Sequence, residues 1–490
     1  MMLRSNPADL GEPATAASSS TYRHFKGDDI VMTNPSVSAS DNKTASAQAS
    51  STLAGDINTR AFSTAAIHGG YDTVGNAEAC NVPIYATAAF DMHTAEHGDD
   101  LASGAVQGFS YSRVANPTTA VLERRLAELE GGAEAVAVGS GMAAVSYALL
   151  CAAEGGGRII APTSLYGASV DAMLSFFPQF GIHTDFVDDI NDFDAVEALI
   201  TPQTRAIFAE SVANPSTEVA DVPALAAVAH RYGVALIIDN TVPTPYLYRP
   251  IEHGADIVVH STTKGITGHG NAIGGVVIDA GRFDWSRGRY PQFTMVEQAI
   301  SDERNGEFHS FWDKFGSLAF IRRIRVKYLR TLGAVPSPFN SYLQLVGLET
   351  LATRERQEVA SATAIARHLS RHPRIEHVNY AGLGNTVQAP LVARDFPDGV
   401  GTILSFSPQG DESRVLRIID AVRVFSYVPN IGDSRSLIVN PARITHREVP
   451  ARYLQAAGVD DQLIRLSIGL EDVSDLIADL DQAIERAYRD

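Results

Sequence analysis

The residues with the clearest potential for chemistry follow a short apolar strand. Residues 257–259 are Ile-Val-Val, and Ser261, Thr263 and Lys264 come shortly after them. A lysine becomes reactive near neutral pH when its pKa is lowered or when it forms a covalent bond. Short hydroxyl side chains beside it suit an oxyanion such as a phosphate. Taken alone, however, a lysine after a strand is more often a solvated surface residue.

Two further motifs lie where predicted strands end. Residues 139–142 are Gly-Ser-Gly-Met, a turn whose backbone N–H groups and following helix would face an anion. Asp239 ends an apolar strand, where a carboxylate would keep a pyridine nitrogen protonated. Each motif alone also fits a packing turn or a capping residue. Combined with Lys264, they predict a site for pyridoxal 5'-phosphate.

The pattern of apolar runs predicts the elements that position these residues. Strands are predicted at 135–138, 158–161, 205–209, 235–238, 257–259 and 275–278. Helices lie between them, preceded by one at 118–130, in which Leu122, Leu126 and Leu129 share a face. Apolar strands separated by such helices indicate an α/β fold with a parallel sheet covered on both faces. Ligands bind at the carboxyl ends of the strands in such a sheet.

The pattern changes beyond residue 291. Residues 303–314 are polar with scattered aromatic residues, and we predict an exposed excursion there that contributes a lid. Long helices are predicted at 318–332 and 342–369. Strands at 375–379 and 402–406 and helices at 414–422 and 473–488 then indicate a smaller α+β domain.

A chain of 490 residues is too long for a single core. We predict a disordered leader at 1–60, because residues 34–59 contain no aromatic residue and are rich in Ser, Ala and Thr. An N-terminal arm follows at 61–110. The larger domain is predicted at 111–335 and the smaller one at 336–490.

Composition excludes several classes of protein. A formal net charge of −18 argues against a nucleic-acid-binding protein, which would be basic. Cys80 and Cys151 form no CxxC pair, so we predict a reducing, cytoplasmic location and no disulfide scaffold. No apolar run reaches the roughly 18 to 20 residues of a membrane span. We predict no metal site.

Specific strings run along the chain from residue 61 onward. They are Tyr-Ser-Arg-Val-Ala-Asn-Pro-Thr at 111–118, Ser-Gly-Met-Ala at 140–143, Leu-Tyr-Gly at 165–167, Asn-Pro at 214–215, Asp-Asn-Thr at 239–241, the stretch 250–264, Gly-His-Gly at 268–270, Asn-Ile-Gly-Asp at 430–433, Ser-Leu at 436–437, Thr-His at 445–446 and Arg-Leu-Ser-Ile-Gly-Leu-Glu-Asp at 465–472. With these strings the chain resembles the Cys/Met-metabolism pyridoxal-phosphate enzymes, most closely the O-acetylhomoserine sulfhydrylases. The resemblance implies the aspartate-aminotransferase-like fold, fold type I.

The resemblance also implies a role for each matching residue. Lys264 would hold the cofactor as an imine and transfer protons, Asp239 would pair with the pyridine nitrogen, and Tyr166 would stack on the ring. The other implied cofactor-binding residues are Tyr111, Arg113, Gly141, Met142, Asn214, Ser261 and Thr263.

Substrate binding and assembly are implied in the same way. Arg465 would bind the α-carboxylate of the substrate, and Ser436 would help to shape that part of the site. Tyr111 and Arg113 would reach the phosphate of a neighbouring subunit. The chain would therefore form a homo-oligomer, a tetramer built from dimers that share active sites.

The implied reaction is γ-replacement on O-acetyl-L-homoserine by sulfide or methanethiol, giving L-homocysteine or L-methionine and acetate. Cystathionine γ-synthase and the cystathionine and methionine γ-lyases are the alternatives. Residues 167–169 are Gly-Ala-Ser and lack the cysteine of the methionine γ-lyase pattern. Residues 86–90, Tyr427, Asn440 and Arg443 depart from the sulfhydrylase pattern, so acetyl or succinyl donor and sulfide or thiol acceptor stay open.

Overall fold

The structure is a computed structural model that describes residues 60–384 and 386–489. The predicted leader lies outside the described residues except for Arg60.

A seven-stranded sheet forms the centre of the larger part of the molecule. Its strands are β1 (Glu134–Val138), β2 (Gly157–Pro162), β3 (Ile182–Val187), β4 (Thr204–Glu210), β5 (Ala235–Asp239), β6 (Ile257–His260) and β7 (Gly275–Asp279). Their order across the sheet is β1-β7-β6-β5-β4-β2-β3. Strand β7 runs antiparallel to the other six strands, which are parallel to one another. The prediction of an α/β fold with a mostly parallel sheet is therefore confirmed.

Helices cover this sheet on both faces. The helices of this part of the chain are α1 (Phe62–His68), α2 (Ala95–Ser103), α3 (Pro117–Glu130), α4 (Gly141–Ala152), α5 (Gly167–Asp171), α6 (Phe193–Leu199), α7 (Val222–Arg231), α8 (Thr244–Leu247), α9 (Pro291–Thr294), α10 (Phe311–Phe315), α11 (Ala319–Arg323) and α12 (Arg330–Leu332). Because side chains alternate along a strand, Val258 of β6 packs into one core with α3 and α7. Its neighbours Ile257 and Val259 pack into the other core with α4 and α11.

A second sheet of five strands follows. Its strands are β8 (Ile375–Asn379), β9 (Ile403–Pro408), β10 (Ser426–Tyr427), β11 (Leu437–Val439) and β12 (Ile464–Ser467), in the order β10-β11-β12-β9-β8. The helices of this part are α13 (Pro338–Glu349), α14 (Leu351–Leu369), α15 (Ala389–Asp395), α16 (Glu412–Ala421), α17 (Ala451–Ala456) and α18 (Val473–Ala487). The predicted domain boundary at 335–336 falls between α12 and α13 and stays a prediction.

Several element predictions were wrong or incomplete. The single helix predicted at 342–369 is two helices, α13 and α14, which meet at Thr350. The helix predicted at 318–332 contains a π-helical stretch, Ile324–Leu329, between α11 and α12. Strand β3 was missed because it is an edge strand with polar, partly exposed positions.

No helix in the described part of the chain combines the length and the apolar character that crossing a membrane would require.

Candidate active site

A cavity of about 250 Å³ lies at the carboxyl ends of β1, β4, β5 and β6. The structure brings nine of the predicted site residues to its wall: Gly141, Met142, Tyr166, Asn214, Asp239, Ser261, Thr263, Lys264 and Arg465. The first eight lie at strand ends of the seven-stranded sheet, in the loops that follow them or in the first turn of α4, and Arg465 comes from β12 of the second sheet. The cavity is thus built from both sheets.

Lys264 is partly buried on the loop that follows β6. Its Nζ donates a hydrogen bond to Oδ1 of Asn430 over 2.5 Å. Burial, and next the positive charge of Arg465, lower the pKa of Lys264 to about 8. The amine therefore exchanges protons readily near neutral pH, as a general base must.

The N-terminus of α4 forms an anion cradle. Ser140 is its N-cap, and the Ser140 hydroxyl accepts a hydrogen bond from Ala143 N–H. The N–H groups of Gly141 and Met142 lie in the first turn, whose N–H groups have no acceptor within a helix. A Cβ at residue 141 would lie 2.5 Å from the Cβ of Ser261. Only glycine allows this approach, which brings the helix terminus against the Ser261 hydroxyl and fits a phosphate group.

The loop that carries Lys264 is held by two threonine hydroxyls. Thr241 Oγ1 accepts a hydrogen bond from Ser261 N–H over 2.8 Å. Thr263 Oγ1 donates to the carbonyl of Gly274 and accepts from its N–H, over 3.1 and 3.0 Å. In this structure the Thr263 hydroxyl therefore joins two backbone segments at the edge of the cradle.

Asp239 and Tyr166 provide features that suit a flat cationic ring. Asp239 Oδ1 accepts a hydrogen bond from Thr241 N–H over 2.9 Å, and burial raises the pKa of its carboxyl. A buried carboxylate is stabilised by a cationic partner, such as a protonated pyridine nitrogen. Tyr166 exposes its aromatic side chain in the cavity wall, where it can stack on a heterocycle.

Arg465 is the feature that most clearly indicates an anionic substrate. Its side chain is 2% exposed, and burial lowers its pKa to about 10. It donates to Oδ1 of Asn214 over 3.2 Å and to the carbonyl of Asn430 over 2.9 Å, both neutral acceptors. Its Nε has no hydrogen-bond partner among residues 60–384 and 386–489. A buried guanidinium in this state is suited to bind a carboxylate.

Three predicted residues do not line the cavity of this chain. Tyr111 lies on the surface, and Arg113 stacks on its ring at 5.4 Å while donating to the carbonyl of Arg330. The Ser436 hydroxyl is buried and donates to Glu471 over 2.8 Å. The roles assigned to these residues stay predictions.

Asn430 and Glu210 also line the cavity, and neither was assigned a role from the sequence. Asn430 stands in the Asn-Ile-Gly-Asp string, and that string was the signal available for finding it. The string lies close to the lysine because Gly432 has no side chain: a Cβ there would lie 2.5 Å from the backbone nitrogen of Gly265. Glu210 is the last residue of β4, and no motif in the sequence marks it.

The predicted lid segment, 303–314, does not line the cavity of this chain. The segment from Val296 to Ser310 folds back on itself through a bridge between those two residues. Its base is held by Glu297, which accepts from Arg323 and Lys327 over 3.1 and 2.9 Å. A lid role for the segment stays a prediction.

Comparisons with known proteins give a consistent result. The family model for Cys/Met metabolism PLP-dependent enzymes matches residues 63–485. The O-acetyl-L-homoserine sulfhydrylase of Leptospira meyeri is 39% identical over 425 residues, covering 86% of this chain and 96% of that protein. The homocysteine synthase of Schizosaccharomyces pombe is 39% identical over 433 residues, covering 87% and 98%.

Solved structures show the same likeness. A Campylobacter jejuni metY crystal structure, which contains an N'-pyridoxyl-lysine-5'-monophosphate residue, is 36% identical with a TM-score of 0.82 and covers 87% of this chain and 100% of its own. The crystal structure of metB from Corynebacterium glutamicum is 30% identical with a TM-score of 0.75, covering 88% and 99%.

Proposed function

The chain belongs to the Cys/Met metabolism PLP-dependent enzyme family, and we propose that it catalyses γ-replacement on O-acetyl-L-homoserine by sulfide, giving L-homocysteine and acetate. Its cofactor is pyridoxal 5'-phosphate. The observation that carries the proposal is the shared cavity of Lys264 and Arg465, a poised amine beside a buried guanidinium that suits the carboxylate of an amino acid. The printed activities of the relatives from Leptospira meyeri and Schizosaccharomyces pombe support this reaction.

The residues present fit the cofactor. Gly141, Met142 and Ser261 would hold its phosphate at the helix terminus. Asp239 would pair with its ring nitrogen, and Tyr166 would stack on its face. Lys264 would bind it covalently, because among residues 60–384 and 386–489 its amine is the only lysine amine in the cavity wall.

When bound, pyridoxal phosphate supplies an electron sink that acidifies the Cα–H bond of an amino acid. Arg465 would bind and orient the α-carboxylate, so that the α-proton faces Lys264. The Lys264 amine would take that proton, move a second proton at Cβ while acetate leaves Cγ, and return the protons after sulfide has added. Asn430 would hold the amine between these transfers, since its Oδ1 is the acceptor for Lys264 Nζ.

Closing the cavity to water would favour these transfers, since a proton held on Lys264 must not be lost to solvent. We propose that a second copy of the chain helps to close the cavity. Tyr111 and Arg113 lie on the surface outside the cavity, and we propose that they complete the phosphate site of a neighbouring subunit in a homotetramer. A cytoplasmic location is part of the same proposal, supported by the two free cysteines, Cys80 and Cys151.

Shared active sites predict complementation between two inactive variants. Lys264→Ala homomers and Arg113→Ala homomers are each expected to be impaired. Refolding them together would give mixed dimers in which one site contains Lys264 and an intact Arg113 from its neighbour. Recovery of activity toward one quarter of the wild-type value supports shared sites, and the absence of any recovery contradicts them.

Product analysis tests the reaction itself. Purified protein loaded with pyridoxal phosphate is incubated with O-acetylhomoserine and sulfide, and homocysteine and acetate are measured. Parallel reactions contain methanethiol, O-succinylhomoserine, cysteine in place of sulfide, cystathionine alone or methionine alone. Homocysteine formed fastest from the first mixture supports the proposal. Faster formation of cystathionine from cysteine would instead assign a γ-synthase activity. Faster release of 2-oxobutanoate from cystathionine or methionine would assign a γ-lyase activity.

A further inference from the structure

Glu210 is a buried acid that the proposed reaction does not use. It is the last residue of β4, and its sheet partner is Asp239, the last residue of β5. Side chains of paired residues on neighbouring strands point to the same face, with the strands about 4.8 Å apart. The two carboxyl groups therefore stand side by side in the wall of the cavity, with Glu210 only 8% exposed.

The Glu210 carboxyl joins two loops that follow different strands. Its Oε1 accepts a hydrogen bond from Tyr166 N–H over 2.7 Å, in the turn after β2. Its Oε2 accepts from Asn214 N–H over 3.2 Å, in the loop after β4. Both donors are backbone groups, so these contacts do not use the side chains of Tyr166 and Asn214. Asn214 uses its Oδ1 to accept from Arg465.

One side chain therefore fixes three others. Moving Glu210 would displace the aromatic ring of Tyr166 and the amide of Asn214 together. Through that amide it would also displace Arg465, the proposed carboxylate-binding residue.

The charges around Glu210 determine its protonation. Asp239 provides a neighbouring negative charge, and Lys264 and Arg465 are the cationic groups of the same cavity. Burial, and next the charge of Asp239, raise the pKa of Glu210 to about 8. The hydrogen bonds from the two backbone N–H groups act in the opposite direction and lower it. Asp239 instead accepts from Thr241, whose hydrogen bonds favour its charged form. The neighbouring charge of Asp239 therefore favours the protonated form of Glu210 near neutral pH.

We propose that Glu210 is a positioning residue that is protonated at neutral pH, ties the Tyr166 and Asn214 loops together and leaves the negative charge of the carboxyl pair on Asp239. This inference rests on the proposed function, since it assigns Glu210 to the support of that cofactor and substrate site. A neutral acid at this position avoids placing two negative charges side by side in a buried wall.

Two variants test the reach of the side chain and its acceptors. Glu210→Gln keeps the length of the side chain but has one acceptor oxygen, because its amide nitrogen can only donate, whereas Glu210→Asp keeps both oxygens and is shorter by one methylene. Asp279→Asn is the matched control, because Asp279 is another buried acid at a strand end that accepts from two backbone N–H groups, those of Gly281 and Ile321. It does not line the cavity.

The first measurement is the dissociation constant of pyridoxal phosphate from each protein, obtained by titrating the cofactor-free form. We expect both variants to weaken binding roughly tenfold or more, because Glu210→Gln can accept from only one of the two N–H groups and the carboxyl of Glu210→Asp cannot reach both. The Asp279→Asn control should bind as the wild type does. Both Glu210 variants binding within about threefold of the wild type would overturn the inference, since the two N–H contacts would then not position the site.

The second measurement detects the proton on the Glu210 carboxyl group directly. In the infrared difference spectrum between the wild type and Glu210→Gln at pH 7, we expect the loss of a protonated carboxyl C=O band. The loss of a carboxylate band would overturn the inference. With substrate, Glu210→Asp should raise the KM for O-acetylhomoserine through Arg465. Wild-type protein that fails to bind pyridoxal phosphate would refute the proposed function as well, whereas wild-type binding with unaltered variants refutes only the role of Glu210.

Discussion

The two edges of the seven-stranded sheet contain similar residues in different surroundings. At the carboxyl edge, Glu210 and Asp239 end neighbouring parallel strands and face a cavity. At the amino edge, Asp256 precedes β6 and Asp279 ends the antiparallel strand β7. Acids are buried at both edges, and the cavity that contains Lys264 and Arg465 lies beside the carboxyl-edge pair.

The amino-edge acids have their hydrogen bonds satisfied within the fold. Asp256 accepts from Leu236 N–H over 2.8 Å and contacts His230 Nε2 at 2.9 Å. Asp279 accepts from Gly281 N–H and Ile321 N–H over 2.8 and 3.3 Å. These carboxylates close off strand ends and join them to neighbouring segments, which is a structural role.

The comparison shows what identifies a functional site. Burial raises the pKa of Asp279 to about 7, and it raises the pKa of Glu210 to about 8. A raised acid pKa is therefore present at both edges and does not distinguish them. The carboxyl edge differs in having Lys264 and Arg465 in an open cavity, with a guanidinium Nε that has no partner in the described part of the chain.

The largest expected effect comes from removing the amine. Lys264→Ala should lower kcat by roughly 10² to 10⁴-fold, because the site loses its only proton-transferring amine. Borohydride reduction of the variant should leave no cofactor label on that position. His230→Ala, which removes an imidazole at the amino edge, should leave kcat unchanged. A fully active Lys264→Ala protein would remove the functional distinction between the two edges.

The next largest effect is expected at Arg465, where a substitution at the carboxyl edge should weaken substrate binding. Arg465→Ala should lower kcat/KM for O-acetylhomoserine by roughly 100-fold, because the substrate carboxylate loses a buried bidentate partner. Arg322, which pairs with Glu134 at 2.8 Å near the amino edge, provides the matched arginine. Arg322→Ala should change the unfolding temperature and leave KM as it is. Equal KM values for both variants would contradict the assignment of Arg465.

These two residues also show how far the sequence leads. The six strands predicted from apolar runs correspond to β1, β2 and β4 to β7, because continuous apolar stretches are typical of buried parallel strands. Lys264 and the glycine turn stand directly after such strands, so their place at the carboxyl edge followed from the topology. Arg465 contacts Asn214 across 251 residues of sequence, and no local pattern predicts such a contact. Only the family resemblance indicated it.

The role of Glu210 could not be predicted from the sequence. An acid at the end of an apolar strand is typical of a capping residue, and its two hydrogen bonds reach backbone groups of separate loops. Every residue except proline has a backbone N–H group, so the residue type does not show which of these groups will donate to Glu210. The interruption at Thr350 was also missed, because residues 348–352 contain no glycine or proline that would mark a break.

Asn430 should give an intermediate effect. Asn430→Ala removes the acceptor of Lys264 Nζ, and a hydrogen bond to a charged group favours the charged form. We expect the pKa of Lys264 to fall further and kcat to decrease roughly tenfold, because the amine is held less firmly. Single-turnover rates measured across pH check this: the rise in rate with pH should move to lower pH. Asn379→Ala, in β8 and bonded to Ser405, is the control and should not move it.

The smallest effect concerns the amino edge alone. The folded pKa of Asp279, about 7, exceeds that of an unfolded aspartate, about 3.9. A raised acid pKa means that the folded state binds the proton more tightly, so this contribution to stability is complete below about pH 4 and is lost as pH rises through 7. Asp279→Asn removes that dependence. The difference in unfolding temperature between the wild type and the variant should therefore be largest at pH 5 and shrink by pH 8. Groups common to both proteins cancel in the difference. A difference that grows with pH would show that Asp279 is ionised and paired in the fold. At each pH the two proteins should bind the cofactor equally well, because Asp279 lies at the edge away from the cavity.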